Sequence, residues 1–207
     1  MTVAVEPQRT STGTRQFARP TTLALLHPKG GVGRSTTAYM LGAELALRGR
    51  RVVLEDLDQG QHLSRVFERH PLGLDLLQLG GNGPREVTIL DTAPEGLRER
   101  ALEHLRRADW LLVPVKGPEE GSVQALPALL RWLQEAGGAR LLGFLPTMHK
   151  PRRAEARYWL GQLQRLAEQH HTRVLEPIGD LASVAAWRLD GHPYASLAED
   201  VVYAIGA

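Results

Sequence analysis

A glycine-rich loop set between a strand pattern and a helix pattern constrains this chain more than any other feature. Leu23-Ala24-Leu25-Leu26 is a short unbroken apolar run, followed by His27-Pro28-Lys29-Gly30-Gly31-Val32-Gly33-Arg34-Ser35-Thr36-Thr37 and then by an amphipathic stretch from Ala38 to Leu47. Strand, glycine loop and helix in that order build an anion cradle: successive backbone N–H groups point into the loop and the helix presents its positive dipole end. Glycine lets the backbone come close to a phosphate with no Cβ in the way. Ser35 occupies the hydroxyl position that ligates Mg²⁺ in such loops, so the pattern points to a bound nucleoside triphosphate.

The rest of the chain repeats the alternation. Strands are expected over 22–27, 51–56, 87–91, 110–115, 141–146 and 173–178, and helices over 35–49, 61–69, 95–107, 119–136, 152–169, 181–189 and 195–205. The segment 72–84 reads as a strand followed by a loop. Apolar strands without in–out alternation, such as Val87-Thr88-Ile89-Leu90, are buried on both faces. The fold class is therefore α/β: a mostly parallel twisted sheet with helices on both faces, of the P-loop NTPase type. Ligands bind at the carboxyl ends of strands in such sheets. The glycine loop, Glu55-Asp56-Leu57-Asp58 and Leu90-Asp91-Thr92-Ala93-Pro94 all fall there.

Against the general pattern G-x-x-x-x-G-K-[ST], Pro28 replaces the first glycine and Arg34 the lysine. What remains, K-G-G-x-G-[K/R]-[ST] with the additional Lys29, resembles the deviant Walker A loop of the ParA/MinD family of P-loop ATPases, over about residues 21–195. The resemblance implies ATP and Mg²⁺ held by Lys29, Gly30, Gly31, Val32, Gly33, Arg34, Ser35 and Thr36. It implies that Lys29 reaches the partner's phosphates in an ATP-dependent sandwich homodimer, that Asp58 orients the attacking water, and that Asp56 holds a metal-bound water. Asp91 looks like the Walker B aspartate behind the metal, beside Ser35. Met148 and Pro177 fall where relatives contact the base. Where the family continues its D-x-D motif with Pro-Gln, this chain reads Gln59-Gly60-Gln61, and His62, just past the motif, is read either as approaching the site or as a helix-start residue. Arg34 keeps the loop's charge in a bulkier, planar group, which leaves nucleotide binding and slows or abolishes hydrolysis.

The sequence has no cysteine, which excludes disulfides, thiolate metal sites and iron–sulfur clusters. Hydrophobic content of 43% and charged content of 23% are those of a globular domain, expected here over 21–207 behind a flexible tail at 1–20. Net charge is only +2, so nucleic-acid binding has to come from clustering. Lys150, Arg152, Arg153 and Arg157 form the densest basic cluster, at a helix start, and Arg152 falls where partition members of the family contact DNA phosphates. A second basic position of that DNA site is Asp180 here, with Arg188 as a substitute; a solvated cationic face is the alternative. The resemblance thus implies a short ParA-type partition ATPase, nucleoid-associated in the cytoplasm, with non-specific DNA and a ParB-like adaptor as partners. The C-terminal stretch from Ser196 to Ile205 carries two acids and no base, so a membrane is not expected. Trp110, Trp132, Trp159 and Trp187 are read as core or interface anchors, and His170-His171 as a helix end.

Overall fold

Six parallel strands order as β3-β2-β4-β1-β5-β6, which places the strand feeding the glycine loop in the middle of the sheet. The computed structural model describes residues 19–94, 99–179, 184, 187, 189 and 193–205. The expected tail at 1–20 lies outside them but for its last two residues, and of the expected helix at 181–189 only 184, 187 and 189 are described. The elements are β1 (Thr21–Leu25), α1 (Arg34–Leu47), β2 (Val52–Asp56), α2 (His62–Arg69), β3 (Leu77–Leu79), β4 (Val87–Asp91), α3 (Glu99–Arg107), β5 (Trp110–Lys116), α4 (Glu120–Gln124), α5 (Leu126–Ala136), β6 (Arg140–Thr147), α6 (Ala154–Gln169) and α7 (Tyr194–Ile205).

Strand alternation divides the core between the two faces of the sheet. Leu23, Leu25, Ile89 and Leu112 face α1 and α7, with Tyr39, Met40, Leu41, Tyr194 and Val201. Ala24, Leu90, Leu111 and Val113 face the other layer, with Leu105, Leu129, Trp159 and Leu163. The amphipathic reading of residues 38–47 needs correction. From Thr37 to Ala46 every residue of α1 is buried, because α2 and α7 cover the flanks that the sheet does not. Gly42 lets the helix settle there: a Cβ would lie 2.9 Å from Leu54 Cδ2 and 3.0 Å from Leu77 Cδ1.

Two other boundaries differ from the sequence pattern. The single helix expected over 119–136 breaks at Ala125 into α4 and α5, since Pro127 in the first turn of α5 has no N–H for a continuing helix. The strand expected over 173–178 is instead an irregular segment, with one bridge from Val174 to Phe144 of β6 and one from Gly179 to His149 just beyond it. Pro177 has no amide to extend a regular ladder there.

Register positions the site. Leu25 pairs with Asp91 and Asp91 with Asp56, so the loop start and both acidic strand ends lie level on adjacent strands at the carboxyl edge.

Candidate functional site

The loop leaving β1 turns through Gly31 and Gly33, at φ 71° and 88°, a left-handed conformation that L side chains resist. Gly33 is also the N-cap of α1, with no side-chain cap and no acid in the first turn. The first amides of α1 therefore have no intrahelical acceptor and point out of the helix end. They open on a cleft of about 470 Å³, lined by Gly30 to Thr36, Asp58, Pro94, Met148, Trp187 and one face of α2. Fold and loop together bring the predicted loop residues, Asp58 and Met148 to one cavity. Pro177 is not among the residues lining it.

Inside the loop, Arg34 departs from a phosphate-facing reading. Its Nη1 donates to the carbonyls of His27 (2.6 Å) and Lys29 (2.9 Å), so the guanidinium braces the loop from within. Burial lowers its pKa, while Asp91 and Asp58 oppose that shift. His27, fully buried, accepts the Lys29 N–H at Nδ1 (3.0 Å) and faces the Ser122 carbonyl through Nε2 at the same distance. Accepting at Nδ1 requires the neutral Nε2–H tautomer, which donates to Ser122. Burial is the main cause that pushes the pKa of His27 down to about 4. Thr147 Oγ1 adds a bond to the Val32 carbonyl (2.8 Å), and Thr92 Oγ1 one to Leu25 (2.7 Å).

The side chain of Lys29 pairs with Glu119, which also pairs with Lys116 at 3.0 Å. The Ser122 hydroxyl lies 2.6 and 2.7 Å from the carbonyls of Lys116 and Glu119, and Trp159 Nε1 donates to the latter at 3.2 Å. The turn between β5 and α4 thus grips both the backbone and the side chain of the loop. His27, Glu119 and Ser122 are functional neighbours that sequence spacing could not single out, because they meet across about ninety residues of chain.

The acidic strand ends divide their roles. Asp56 accepts from the Ser64 amide (2.8 Å) and hydroxyl (2.7 Å) and from the Asp58 amide (3.2 Å), so it anchors the start of α2. Asp58 accepts from the Gly60 amide (2.9 Å) and faces the cleft. Asp91 is 1% exposed and neither carboxylate oxygen has a hydrogen-bond partner. Its pKa is pushed up to about 7 by burial, with Asp56 and Asp58 adding to the rise and nearby Ser35 and Arg34 opposing it. Ser35 is close enough to favour the charged form without closing a hydrogen bond that satisfies it. Among the described residues no group of three or more His, Cys, Asp or Glu forms a metal cage. A buried carboxylate with no hydrogen-bond partner behind a loop hydroxyl instead fits Mg²⁺, which keeps waters and takes much of its shell from phosphate oxygens.

Lys150, Arg152, Arg153 and Arg157 are all exposed, on the turn and first helical turns after β6, adjacent in sequence to the cleft residue Met148. Asp180 and Arg188 lie outside the described residues. His62 lines the cleft, and with it come Arg65, Arg69 and His70 of the same face and Trp187, which the sequence reading had assigned to core or interface.

The CobQ/CobB/MinD/ParA nucleotide binding domain model matches residues 23–194. The chromosome-partitioning ATPase Soj of Thermus thermophilus is 31% identical over 188 residues, covering 69% of this chain and 75% of that protein. Cobyrinic acid a,c-diamide synthase of Mycobacterium smegmatis, solved with an ATP analog and magnesium, superposes with TM-score 0.67 at 25% identity, over 88% of this chain and 94% of the other. The ATP complex of a McdA variant from Cyanothece shares the fold, with TM-score 0.72 at 17% identity, over 91% and 97% of the two chains.

Proposed function

The chain belongs to the CobQ/CobB/MinD/ParA nucleotide-binding family, and from that premise we propose that it is a ParA-like ATPase for partition of DNA or positioning of another cargo. The observation that carries this reading is the uncapped glycine cradle backed by the unpartnered Asp91 carboxylate. Gly30 to Thr36 would hold the phosphates of ATP, and Ser35 with Asp91 behind it would hold Mg²⁺, which would supply positive charge to the phosphates. Asp58 faces the cleft and orients the attacking water; Asp56, fixed by Ser64, sets the position of Asp58. Lys29 leaves Glu119 to reach the phosphates of a second copy, so that nucleotide closes a sandwich homodimer. Lys150, Arg152, Arg153 and Arg157 present phosphate-binding charge beside the cleft, and the dimer doubles that surface for non-specific DNA. A ParB-like adaptor links cargo to the dimer, and the protein works nucleoid-associated in the cytoplasm. No helix among the described residues is long and apolar enough to cross a membrane.

Anisotropy of a random DNA duplex, titrated with protein in Mg²⁺ with ATP, ADP or no nucleotide, tests the reading. Binding with ATP alone supports it; binding that ignores nucleotide, or none, overturns it. A second reading, a nucleotide-gated scaffold with little hydrolysis, draws on the Arg34 guanidinium being held by loop carbonyls. Arg34→Lys separates the two: a sharp rise in turnover marks an impaired ATPase, and unchanged zero turnover marks the scaffold.

A further inference from the structure

One titratable cleft residue stands outside the loop chemistry. After Asp58 the chain continues Gln59-Gly60-Gln61-His62, and His62 lines the cleft together with Asp58 and the glycine loop. A tight turn joins the two. The Gln61 amide donates to the Asp58 carbonyl and the Gly60 amide to Asp58 Oδ1, both at 2.9 Å. Gln61 then turns at φ 49° into His62, the first residue of α2. Arg65 holds the same turn through the carbonyls of Gly60 and Gln61. A Cβ on Gly60 would lie 3.1 Å from His62 Nε2 and 3.4 Å from Asp58 Oδ1. Ring nitrogen and carboxylate oxygen thus flank one small space, which the missing Cβ leaves open. Among the described residues no hydrogen bond occupies that nitrogen, and the ring is exposed to the cleft. Facing the cleft with it are Arg34 from α1 and Arg65, Arg69 and His70 from α2. At the end of β2, Asp56 is taken by Ser64 and the Asp58 amide.

We infer that His62 is a catalytic residue that accepts the proton of the water Asp58 orients. This rests on the reading that the cleft hydrolyses a nucleoside triphosphate. A water in the space beside Gly60 donates one hydrogen bond to Asp58 and the other to His62 Nε2, which accepts in the neutral Nδ1–H form. A carboxylate is a poor acceptor for a proton from water near neutral pH; imidazole, which changes charge between about pH 5 and 8, is matched to it. The water oxygen bonds to the γ-phosphorus as the bond from that phosphorus to the bridging oxygen breaks. One O–H proton passes to Nε2, the other stays on the phosphate formed, and the nucleoside diphosphate leaves as the anion. The imidazolium then returns its proton to solvent, which reaches the exposed ring.

Single-turnover cleavage of ATP by the full chain in Mg²⁺, followed across pH beside calorimetric ATP affinity, tests this. His62→Gln is expected to cut cleavage about 10²-fold near pH 8 while holding ATP affinity within about two-fold. The ratio of wild type to variant should close towards one as pH falls to about 5 and the wild-type ring takes a proton before it can act. Asp91 titrates in both chains and cancels in that ratio. Gly60→Ala, whose Cβ fills the shared space, should lose cleavage and keep ATP. Free imidazole should restore cleavage to His62→Gly. With no nucleotide present, Asp58→Asn should move the ring signals of His62 in NMR spectra. Unchanged cleavage in His62→Gln, a cut of the same size at every pH, or unmoved ring signals overturns the inference alone. A wild-type chain that binds ATP and never cleaves it overturns the ATPase reading, and the part of His62 with it.

Discussion

His27 makes the glycine loop sensitive to acid, and the size of the effect follows from its surroundings. The neutral ring accepts from Lys29 and donates to Ser122, so protonation removes the acceptor the loop backbone uses. Its pKa falls from 6.5 to about 4 in the folded chain, chiefly by burial. The unfolded chain therefore binds the proton first as pH drops. Stability from this group is complete above the unfolded value and is lost as pH falls towards the folded one. That displacement is worth ~3 kcal/mol in all, of which ~2 kcal/mol has gone by about pH 5. His27→Gln keeps a donor for Ser122, has no charge to gain, and leaves the Lys29 N–H unsatisfied at a cost of ~1–3 kcal/mol. The variant is thus expected to be less stable than wild type near pH 8 and level with it near pH 5. Urea unfolding followed by far-UV circular dichroism, without nucleotide, measures both curves; other titrating groups are common to the two chains and cancel in the difference. A gap that stays constant across this range refutes the neutral bridging ring.

Three shorter predictions address the other parts of the site. Asp91→Asn removes a buried carboxylate whose raised pKa (about 7, against 3.8) costs stability progressively as pH rises through that window. In EDTA near pH 8 it is expected to stabilise the nucleotide-free chain by up to ~4 kcal/mol while abolishing Mg²⁺-dependent stabilisation by ATP, both read from thermal melts. Gly33→Ala puts a Cβ on a residue at φ 88°, and should cost ~1–2 kcal/mol of stability and weaken tripolyphosphate binding in calorimetry. Arg152→Glu should weaken binding of random duplexes whatever their sequence and flatten the log–log salt slope by ~0.9 or more, measured by anisotropy across a salt series.

What the sequence revealed and what it concealed divide along a physical line. The glycine loop, Asp58 and Asp91 were legible because each lies within a few residues of its strand end, where local pattern and the carboxyl-edge rule decide position. Apolar runs gave five of the six strands for the same reason; β3, three residues at the sheet edge, falls within the segment 72–84 read as a strand and a loop, but it is too short for a pattern to set its bounds. Side-chain partnerships were not legible. Nothing near Asp56 in sequence says that Ser64, a helical turn into α2, will take its carboxylate. Trp187 packs against the core, as its type suggests, but that it also lines the cleft depends on neighbours distant in sequence, Tyr39 and His70.

Arg34 shows how a departure from the loop pattern redistributes work within the site. A lysine at this position carries one compact charge and three donors that can turn towards phosphate; a guanidinium has a fixed planar fork. In this chain that fork is anchored at His27 and Lys29, and the other face of the loop is anchored through His27 to Ser122 and through Lys29 to Glu119. The loop is therefore held open by its own side chains before any anion arrives. Preorganisation of this kind lowers the ordering cost of binding, because the amides already point into the cleft. It also ties one nitrogen of the guanidinium to loop carbonyls, away from the charge that develops during phosphoryl transfer, and Lys29 is likewise held, by Glu119. A loop built this way is ordered for holding a triphosphate, the property on which the nucleotide-gated reading draws and which the Arg34→Lys turnover comparison tests.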